Sequence, residues 1–364
     1  MTNLRIPGPT PCPDDVLKAM GRQMINHRGS EFMQIMLDTT AKLKKLFLTQ
    51  NDVFILTGSG TGGLEAAVVN TLSPGDKVLA VSIGVFGDRF GNIAKAFGAD
   101  VTWVKAEWGK AAEVKAIKDA LAKDPAIKAV LVTENETSTA VTNPLKEIAA
   151  AVKSAGKLLL VDAISGLGSI EFPVDEWGAD VVVTGSQKSW MVPPGLVMVS
   201  VSPLAWQANA AAKMPRFYWD FGKAKKYFEK GGQTPWTPAV SVVMALNCAC
   251  DMMLKEGLPN IIARHARIGK MTREGVKSLG LKLFADERYA SNTVTGILAT
   301  EGLDAKKLTK IMREEHDTII SGGQMELEGK IFRIGHLGWV HEPDIQQVLD
   351  ALKLSLPKAG FRSV

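Results

Sequence analysis

A lysine set among small polar residues is the first group in this sequence that could do chemistry. Lys188 lies in Thr184-Gly185-Ser186-Gln187-Lys188-Ser189-Trp190, after the apolar run Ala179-Asp180-Val181-Val182-Val183 and before Pro193-Pro194-Gly195. An amine at the end of a core strand is desolvated, and a desolvated lysine gives up its proton readily, which suits it to imine formation. The same stretch also reads as an ordinary turn carrying a surface lysine. Asp162 closes another apolar run, Leu158-Leu159-Leu160-Val161, 26 positions earlier. A carboxylate there is costly unless a cation or strong donor meets it. A protonated ring nitrogen, a structural ion pair or a helix cap near Ser165-Gly166 would each serve.

Gly58-Ser59-Gly60-Thr61-Gly62-Gly63 follows the apolar stretch Val53-Phe54-Ile55-Leu56. Its Gly58-x-Gly60-x-x-Gly63 spacing has the form of a dinucleotide-binding turn, but the next strand ends in Ser82-Ile83-Gly84, where that use requires an acid. No Gly-Lys-Ser/Thr follows, so a Walker phosphate loop fails as well. What remains is a helix N-terminus with free amides, where Ser59, Gly60 and Thr61 can cup one phosphate, or else a plain tight turn. Phe86, in Gly84-Val85-Phe86-Gly87-Asp88-Arg89, can stack on a planar ligand or simply pack. Glu134-Asn135-Glu136-Thr137-Ser138-Thr139 crowds acids and hydroxyls at another strand end. Arg333, inside Ile331-Phe332-Arg333-Ile334-Gly335, needs a buried anion, either a substrate carboxylate or an acid of the protein itself. A phosphate cup, a ring stacker, an acid for a ring nitrogen and an amine for an imine are together the requirements of pyridoxal phosphate, an electron sink for amino acid chemistry.

These residues meet only if the chain gathers its strand ends. Strands are expected at Val53–Leu56, Lys77–Ile83, Val101–Lys105, Ala129–Thr133, Leu158–Asp162, Ala179–Val183 and Leu196–Val201. Helices are expected between them, over Leu64–Thr71, Arg89–Phe97, Ala111–Ala122 and Pro144–Ala155. Such alternation implies an α/β fold with a mostly parallel sheet covered on both faces, and ligands bind such sheets beyond the carboxyl ends of the strands. Upstream, Phe32, Ile35, Met36, Leu43, Leu46 and Phe47 recur at helical spacing across Glu31–Leu48. Pro7, Pro9, Pro11 and Pro13 around Gly8 predict an extended segment lying over a surface. Between Ser202 and Gln233 the pattern gives way to Trp206, Arg216, Phe217, Tyr218, Trp219, Phe221 and Tyr227. A buried or interfacial loop with snorkelling lysines accounts for these better than a nucleic-acid patch. Helices over Val240–Glu256 and Asn260–Leu279 lead into a smaller α/β unit, with strands Thr293–Leu298 and Lys330–Ile334 and helices Ala305–Glu315 and Pro343–Leu354.

At 364 residues the chain is long for a single core, and the expected division is an arm at 1–20, a large domain at 21–258 and a small one at 259–364. A net charge of +5, with no run of five like charges, gives no support for a nucleic-acid or membrane-surface partner. Cys12, Cys248 and Cys250 cannot build a disulfide framework, and the Cys-x-Cys pair diverges on a helix, which makes it a poor metal site. The first thirteen residues lack the apolar core of a signal peptide and no apolar run is long enough to span a bilayer, so a reducing cytoplasm is the expected location.

On Gly58-Ser59-Gly60-Thr61, Val161-Asp162-Ala163 and Gly185-Ser186-Gln187-Lys188 the chain resembles the class V aminotransferases of fold type I, above all the alanine–glyoxylate and serine–pyruvate (serine–glyoxylate) enzymes. The likeness runs from Pro7-Gly8-Pro9-Thr10 to Arg333-Ile334-Gly335. It implies a mostly parallel seven-stranded sheet in a large domain, a smaller C-terminal α/β domain, and pyridoxal 5'-phosphate as cofactor. By the same resemblance, Lys188 forms the imine and then shuttles the proton, and Asp162 keeps the ring nitrogen protonated. Phe86 stacks on the ring, where relatives often carry tryptophan. Ser59, Gly60, Thr61 and Gln187 hold the phosphate, and Thr137 stands beside the 3-oxygen. Thr237, in Trp236-Thr237-Pro238, is similar to a threonine that reaches the phosphate of the neighbouring subunit, which implies a homodimer with shared active sites. Arg333 resembles the clamp on the substrate α-carboxylate, and Gly8 and Gly29 resemble small residues shaping the substrate floor.

The implied reaction is a ping-pong transfer of an amino group from alanine or serine to glyoxylate or pyruvate. A small donor is favoured because glycines, rather than a second arginine, line the N-terminal contact; aspartate and ureidoglycine donors stay open. A cysteine desulfurase or lyase on the same fold would need a mobile cysteine near the small domain, and none of the three cysteines is placed there. A nicotinamide oxidoreductase rests on the glycine spacing alone. A catalytically inactive binding relative would have no use for Lys188, Asp162 and Arg333 together.

Overall fold

The computed structural model describes residues 2–361. Its central sheet has seven strands: β1 (Asp52–Thr57), β2 (Lys77–Ser82), β3 (Asp100–Lys105), β4 (Ala129–Thr133), β5 (Leu158–Asp162), β6 (Val181–Gly185) and β7 (Leu196–Val201). Their order is β1-β7-β6-β5-β4-β2-β3, and every neighbouring pair is parallel except the two that β7 makes. The inner strands are apolar throughout because both faces are covered. Leu159 and Val161 of β5 join the core that contains Phe32, Phe47 and Trp190, while Leu160 between them joins the one that contains Leu64, Phe90 and Phe221. The pleat thus sends alternate side chains into two separate cores.

Strand β6 starts two residues later than the apolar run suggests. Asp180 is the cause: its carboxylate accepts from the Leu159 amide (2.9 Å) and the Ser202 hydroxyl (2.9 Å) and pairs with Lys153 (2.6 Å), which closes the strand's entrance. Helices α1 (Gly60–Thr71) and α2 (Val85–Ala96) each begin about one turn before the expected start. Ser59 caps α1 by accepting from the Gly62 amide. Nothing local caps α2; its first amides are taken by side chains some fifty positions downstream, described below.

Two expectations need correction. The Ser202–Gln233 stretch is not one long loop. It contains helices Pro203–Ala211, capped by Ser202, and Phe221–Phe228, capped by Asp220. Its lysines do lie on aromatic faces, Lys223 over Phe217 at 4.0 Å and Lys225 over Trp206 at 4.7 Å. The N-terminal segment is not draped over a surface either. Asn3, Arg5 and Thr10 are buried. Asn3–Leu4 pairs in parallel with Thr318–Ile319, and Arg5 forms an ion pair with Asp344 at 3.1 Å. The amides of Asn3, Arg5 and Thr10 donate to the carbonyls of Asp317, Ile319 and Gln187, so these extended groups need no solvent.

Beyond the long helices α3 (Val240–Glu256) and α4 (Leu258–Ser278), a second sheet of three strands has the order β8 (Val294–Leu298), β10 (Ile331–Gly335), β9 (Ser321–Gly322). Ile297, Leu308, Phe332, Ile334 and Leu352 form its own apolar cluster. No helix among the described residues is long and apolar enough to cross a membrane.

Candidate active site

The carboxyl ends of β1, β2, β4, β5 and β6 open on one cavity of about 560 Å³, counting its open mouth. Ser59, Gly60, Thr61, Phe86, Thr137, Asp162, Gln187 and Lys188 all line it, with Arg89, Asn135, Ile164 and Ser165 beside them. Each lies at or just beyond the carboxyl end of a strand, where a parallel sheet leaves backbone and side chains free for a ligand.

Lys188 follows β6 by three residues. Its ammonium donates to the carbonyl of Pro7, and burial brings its pKa down to about 8, with Asp162 pulling the other way. A lysine in this state carries roughly a tenth of its population as free amine at pH 7, far more than an ordinary lysine. Asp162 ends β5 and is almost wholly buried. Its carboxyl accepts from the Ile164 amide at 3.0 Å and lies 3.4 Å from the Thr133 hydroxyl, and it has no ion-pair partner among the described residues. Burial raises its pKa to about 7. An incoming cationic donor would hold it ionised.

The glycine turn is shaped by its neighbours. A β-carbon at Gly60 would stand 2.5 Å from Ile164, and one at Gly63 would stand 2.3 Å from Val197. The first glycine keeps the helix N-terminus open to the cavity and the second lets α1 lie flat on the sheet. Free amides at the start of α1, with the Ser59 and Thr61 hydroxyls, make an anion cup.

Phe86 sits in the first turn of α2, where its amide donates to Glu136 Oε2 at 2.9 Å and that of Gly87 donates to the same oxygen at 3.0 Å. Ser138 Oγ accepts from the Val85 amide at 3.0 Å. The hydroxyl-and-acid cluster after β4 is therefore the cap of α2, and it fixes the aromatic. Burial raises the Glu136 pKa while these donors oppose the rise.

Arg333, on β10, does not line the cavity but reaches its edge: Nη1 donates to the Thr137 carbonyl at 2.8 Å and Nε to the Gly322 carbonyl at 3.0 Å. It has no carboxylate partner among the described residues, and burial lowers its pKa to about 10. The protein acid considered as its counter-ion is thus absent from its contacts.

Gly8 packs directly on the Lys188 side chain. Gly29 and Thr237 are not brought to the cavity within this chain. Gly29 stands before helix Ser30–Phe47 against Asn26, and Thr237 lines a separate hollow with Met36, Phe54, Tyr218, Trp219 and Trp236. None of the three cysteines touches the cavity; Cys12 lies in another hollow, and Cys248 and Cys250 lie on α3.

Residue reasoning missed three groups. Arg89 lies exposed at the mouth, over the Phe86 ring at 4.7 Å and 3.3 Å from the Thr61 hydroxyl. Its place three residues after Phe86 on a helix was the available signal. Asn135 holds Ser165 (2.8 Å) and Thr293 (2.9 Å) through its amide nitrogen. Glu134 is buried with both carboxyl oxygens unpartnered among the described residues, and burial together with Asp162 drives its pKa well up.

These features fit pyridoxal phosphate. Asp162 wants a cationic donor, Lys188 is a desolvated amine, and the helix cup wants an anion. Ser59, Thr61 and Gln187 would hold the phosphate, Asp162 the ring nitrogen and Phe86 the ring face, and the cofactor would supply an electron sink beside Lys188.

The chain is similar to known proteins over nearly its whole length. Residues 3–328 match the family model described as aminotransferase class-V. The chain is 45% identical over 362 residues to a protein of Synechococcus sp. named as the small subunit of a soluble hydrogenase, covering 98% of this chain and 94% of that one. It is 40% identical to the L-aspartate–glyoxylate aminotransferase of Paracoccus denitrificans, over 92% of this chain and 85% of that one. Among solved structures, the alanine–glyoxylate aminotransferase of Nostoc sp. superposes with a TM-score of 0.94 at 28% identity, covering 97% and 95% of the two chains. The chain belongs to the class-V aminotransferases, pyridoxal-phosphate-dependent transaminases of fold type I.

Proposed function

We propose that this protein moves the amino group of a small donor, alanine or serine, to glyoxylate or pyruvate in two half-reactions. The observation that carries the reading is the meeting of Lys188, Asp162 and the Ser59–Thr61 turn on one cavity. Lys188 is the base that would take the substrate α-proton and return it to the cofactor, and a pKa brought down to about 8 by burial suits it to both directions. Asp162, facing a cationic ring nitrogen, stays ionised and keeps the ring electron-withdrawing. Arg333 is the carboxylate clamp: backbone carbonyls orient Nε and Nη1, and no carboxylate forms an ion pair with it among the described residues. The chain acts as a homodimer in a reducing cytoplasm, with Thr237 and Gly29 serving the partner's cavity. We read residues 1–20 as an arm, 21–258 as the large domain and 259–364 as the small one.

A second reading has its own support. Arg89 lines the cavity with no carboxylate partner among the described residues, and a second cation suits a dicarboxylic donor. This weakens the argument for a small donor from the lack of a second arginine, and the Paracoccus relative is named for aspartate.

The test is a panel of alanine, serine, aspartate and ureidoglycine against glyoxylate and pyruvate. Purified protein should be yellow, and Lys188→Ala should transfer no amino group. A colourless protein that takes up no added pyridoxal phosphate would sink the proposal.

A further inference from the structure

We propose that His265 is a positioning residue for Lys188, acting through Ser169 and Ser189 on one side and through the turn at Gly338 on the other. The proposal rests on the role given to Lys188 above. His265 is 1% exposed, on α4. Its Nδ1 lies 2.7 Å from the carbonyl oxygen of Ile261. A carbonyl only accepts, so Nδ1 carries the ring proton and Nε2 is left as an acceptor. The Gly338 amide donates to it at 3.1 Å, and the Ser169 hydroxyl oxygen lies 3.0 Å away.

A serine hydroxyl has a single proton. Ser169 donates that proton to the Ser189 hydroxyl oxygen, 2.8 Å away, and its own oxygen packs against the edge of the imidazole. Ser189 is the residue after Lys188, and its side chain has no other hydrogen bond among the described residues. Ser169 and Ser189 are both buried, so water does not compete for this bond.

The second arm meets the same peptide. Gly338 has φ +72°, and a β-carbon on it would stand 2.8 Å from the Lys188 carbonyl oxygen. That oxygen accepts from the Thr10 hydroxyl at 2.9 Å and the Met191 amide at 3.2 Å. The Gly338 carbonyl is gripped in turn by Arg264 at 3.1 Å, which pairs with Glu256 at 2.7 Å. One imidazole therefore joins α4, the segment after β10 and the loop that aims the amine. Burial, helped by the neighbouring Arg264, lowers the His265 pKa to about 3, so the ring is a neutral acceptor throughout the range in which the enzyme works.

Three variants separate positioning from plain structural support. His265→Leu removes the acceptor of the Gly338 amide and the imidazole edge that holds Ser169 in place. Ser169→Ala cuts only the arm to Ser189. His265→Gln keeps an acceptor near the place of Nε2. The readout is the pH dependence of Lys188 acetylation by acetic anhydride in cofactor-free protein, followed by peptide mass spectrometry, beside the thermal melt.

His265→Leu and Ser169→Ala should move the labelling midpoint up by about half to one pH unit, which is ~3- to 10-fold less free amine at a fixed lower pH. The sign follows from water reaching a loosened amine and relieving the desolvation that now favours its neutral form. His265→Gln should stay near wild type. If His265→Leu does not fold, Ser169→Ala decides alone. A lowered melting temperature with an unmoved midpoint would make the network structural and overturn the proposal. Wild-type protein that binds no pyridoxal phosphate would defeat the transaminase reading, whereas the labelling midpoints need no cofactor and decide His265 separately.

Discussion

A β-carbon on Gly8 would stand 2.7 Å from both Cδ and Nζ of Lys188, inside van der Waals contact, and Gly8 has φ +125° besides. The N-terminal arm is thus one wall of the slot that holds the amine, with the Pro7 carbonyl accepting its proton.

Gly8→Ala should therefore damage the active site before it damages the fold. The backbone strain amounts to about 1–3 kcal/mol, while an ångström of misplacement at the reacting amine is worth roughly a hundredfold in rate. The expected result is a kcat lower by about that factor, with a modest drop in melting temperature. Unchanged kcat would show that the slot has room to give.

Asp162 should make the cofactor-free protein less stable as pH rises. Its pKa goes from 3.8 to about 7 on folding. Between those values the folded protein keeps a proton that the unfolded chain has lost, so stability falls as pH rises from about 4 to about 7, by up to roughly 4 kcal/mol. Asp162→Asn should match wild type near pH 4, exceed it at pH 7, and retain cofactor poorly. Lys188 acts oppositely at higher pH: with its pKa brought from 10.5 to about 8, it adds stability as pH rises through that window. Urea unfolding of stripped protein across pH 4–9 measures both slopes. Identical slopes for wild type and Asp162→Asn would refute the assignment.

Much of this site was legible because strand ends are local features. The runs Ala129–Thr133, Leu158–Asp162 and Leu196–Val201 begin and end where an apolar stretch meets a polar or turn-forming residue, and Lys188 and Asp162 are placed by such boundaries. What stayed hidden depends on partners far apart in the chain. Helix α2 starts at Val85 because Glu136 and Ser138 supply caps that no neighbouring residue provides. His265 looks like any helical histidine until Gly338 and Ser169 are brought against it. The position of β6 depended on Asp180 finding Lys153 and Ser202, which no apolar count registers.

Arg333→Ala should raise KM for both the amino acid and the oxo acid. A charged bidentate contact contributes about 1.5–3 kcal/mol, so the increase should be roughly ten- to hundredfold. Arg333→Lys should recover only part of it, since an ammonium lacks the planar fork. A KM that does not move would leave Arg333 as a tie between Thr137 and Gly322.

Glu136→Gln should loosen the cofactor without touching it. The change keeps the shape but removes the charge that faces the first amides of α2, an effect of about 1 kcal/mol at a helix N-terminus. Phe86 then loses its fixed position, and the apparent Kd for pyridoxal phosphate, from absorbance titration, should rise several-fold. Ser138→Ala should do the same more weakly. Equal affinity in both variants would separate the cap from the ring.

Arg89→Gln divides the two donor readings. The guanidinium stands at the cavity mouth over Phe86 with a weak bond to Thr61 and no ion-pair partner among the described residues. If it receives the distal carboxylate of a dicarboxylic donor, kcat/KM for aspartate should fall by about ten- to hundredfold, the value of one charged contact, while alanine and serine change little. If the working donor is small, no donor should be singled out, and any loss should be shared with cofactor affinity through Phe86. Measuring the aspartate-to-alanine ratio in wild type and variant decides between them, because a general loosening of the site cancels in the ratio and a lost carboxylate contact does not.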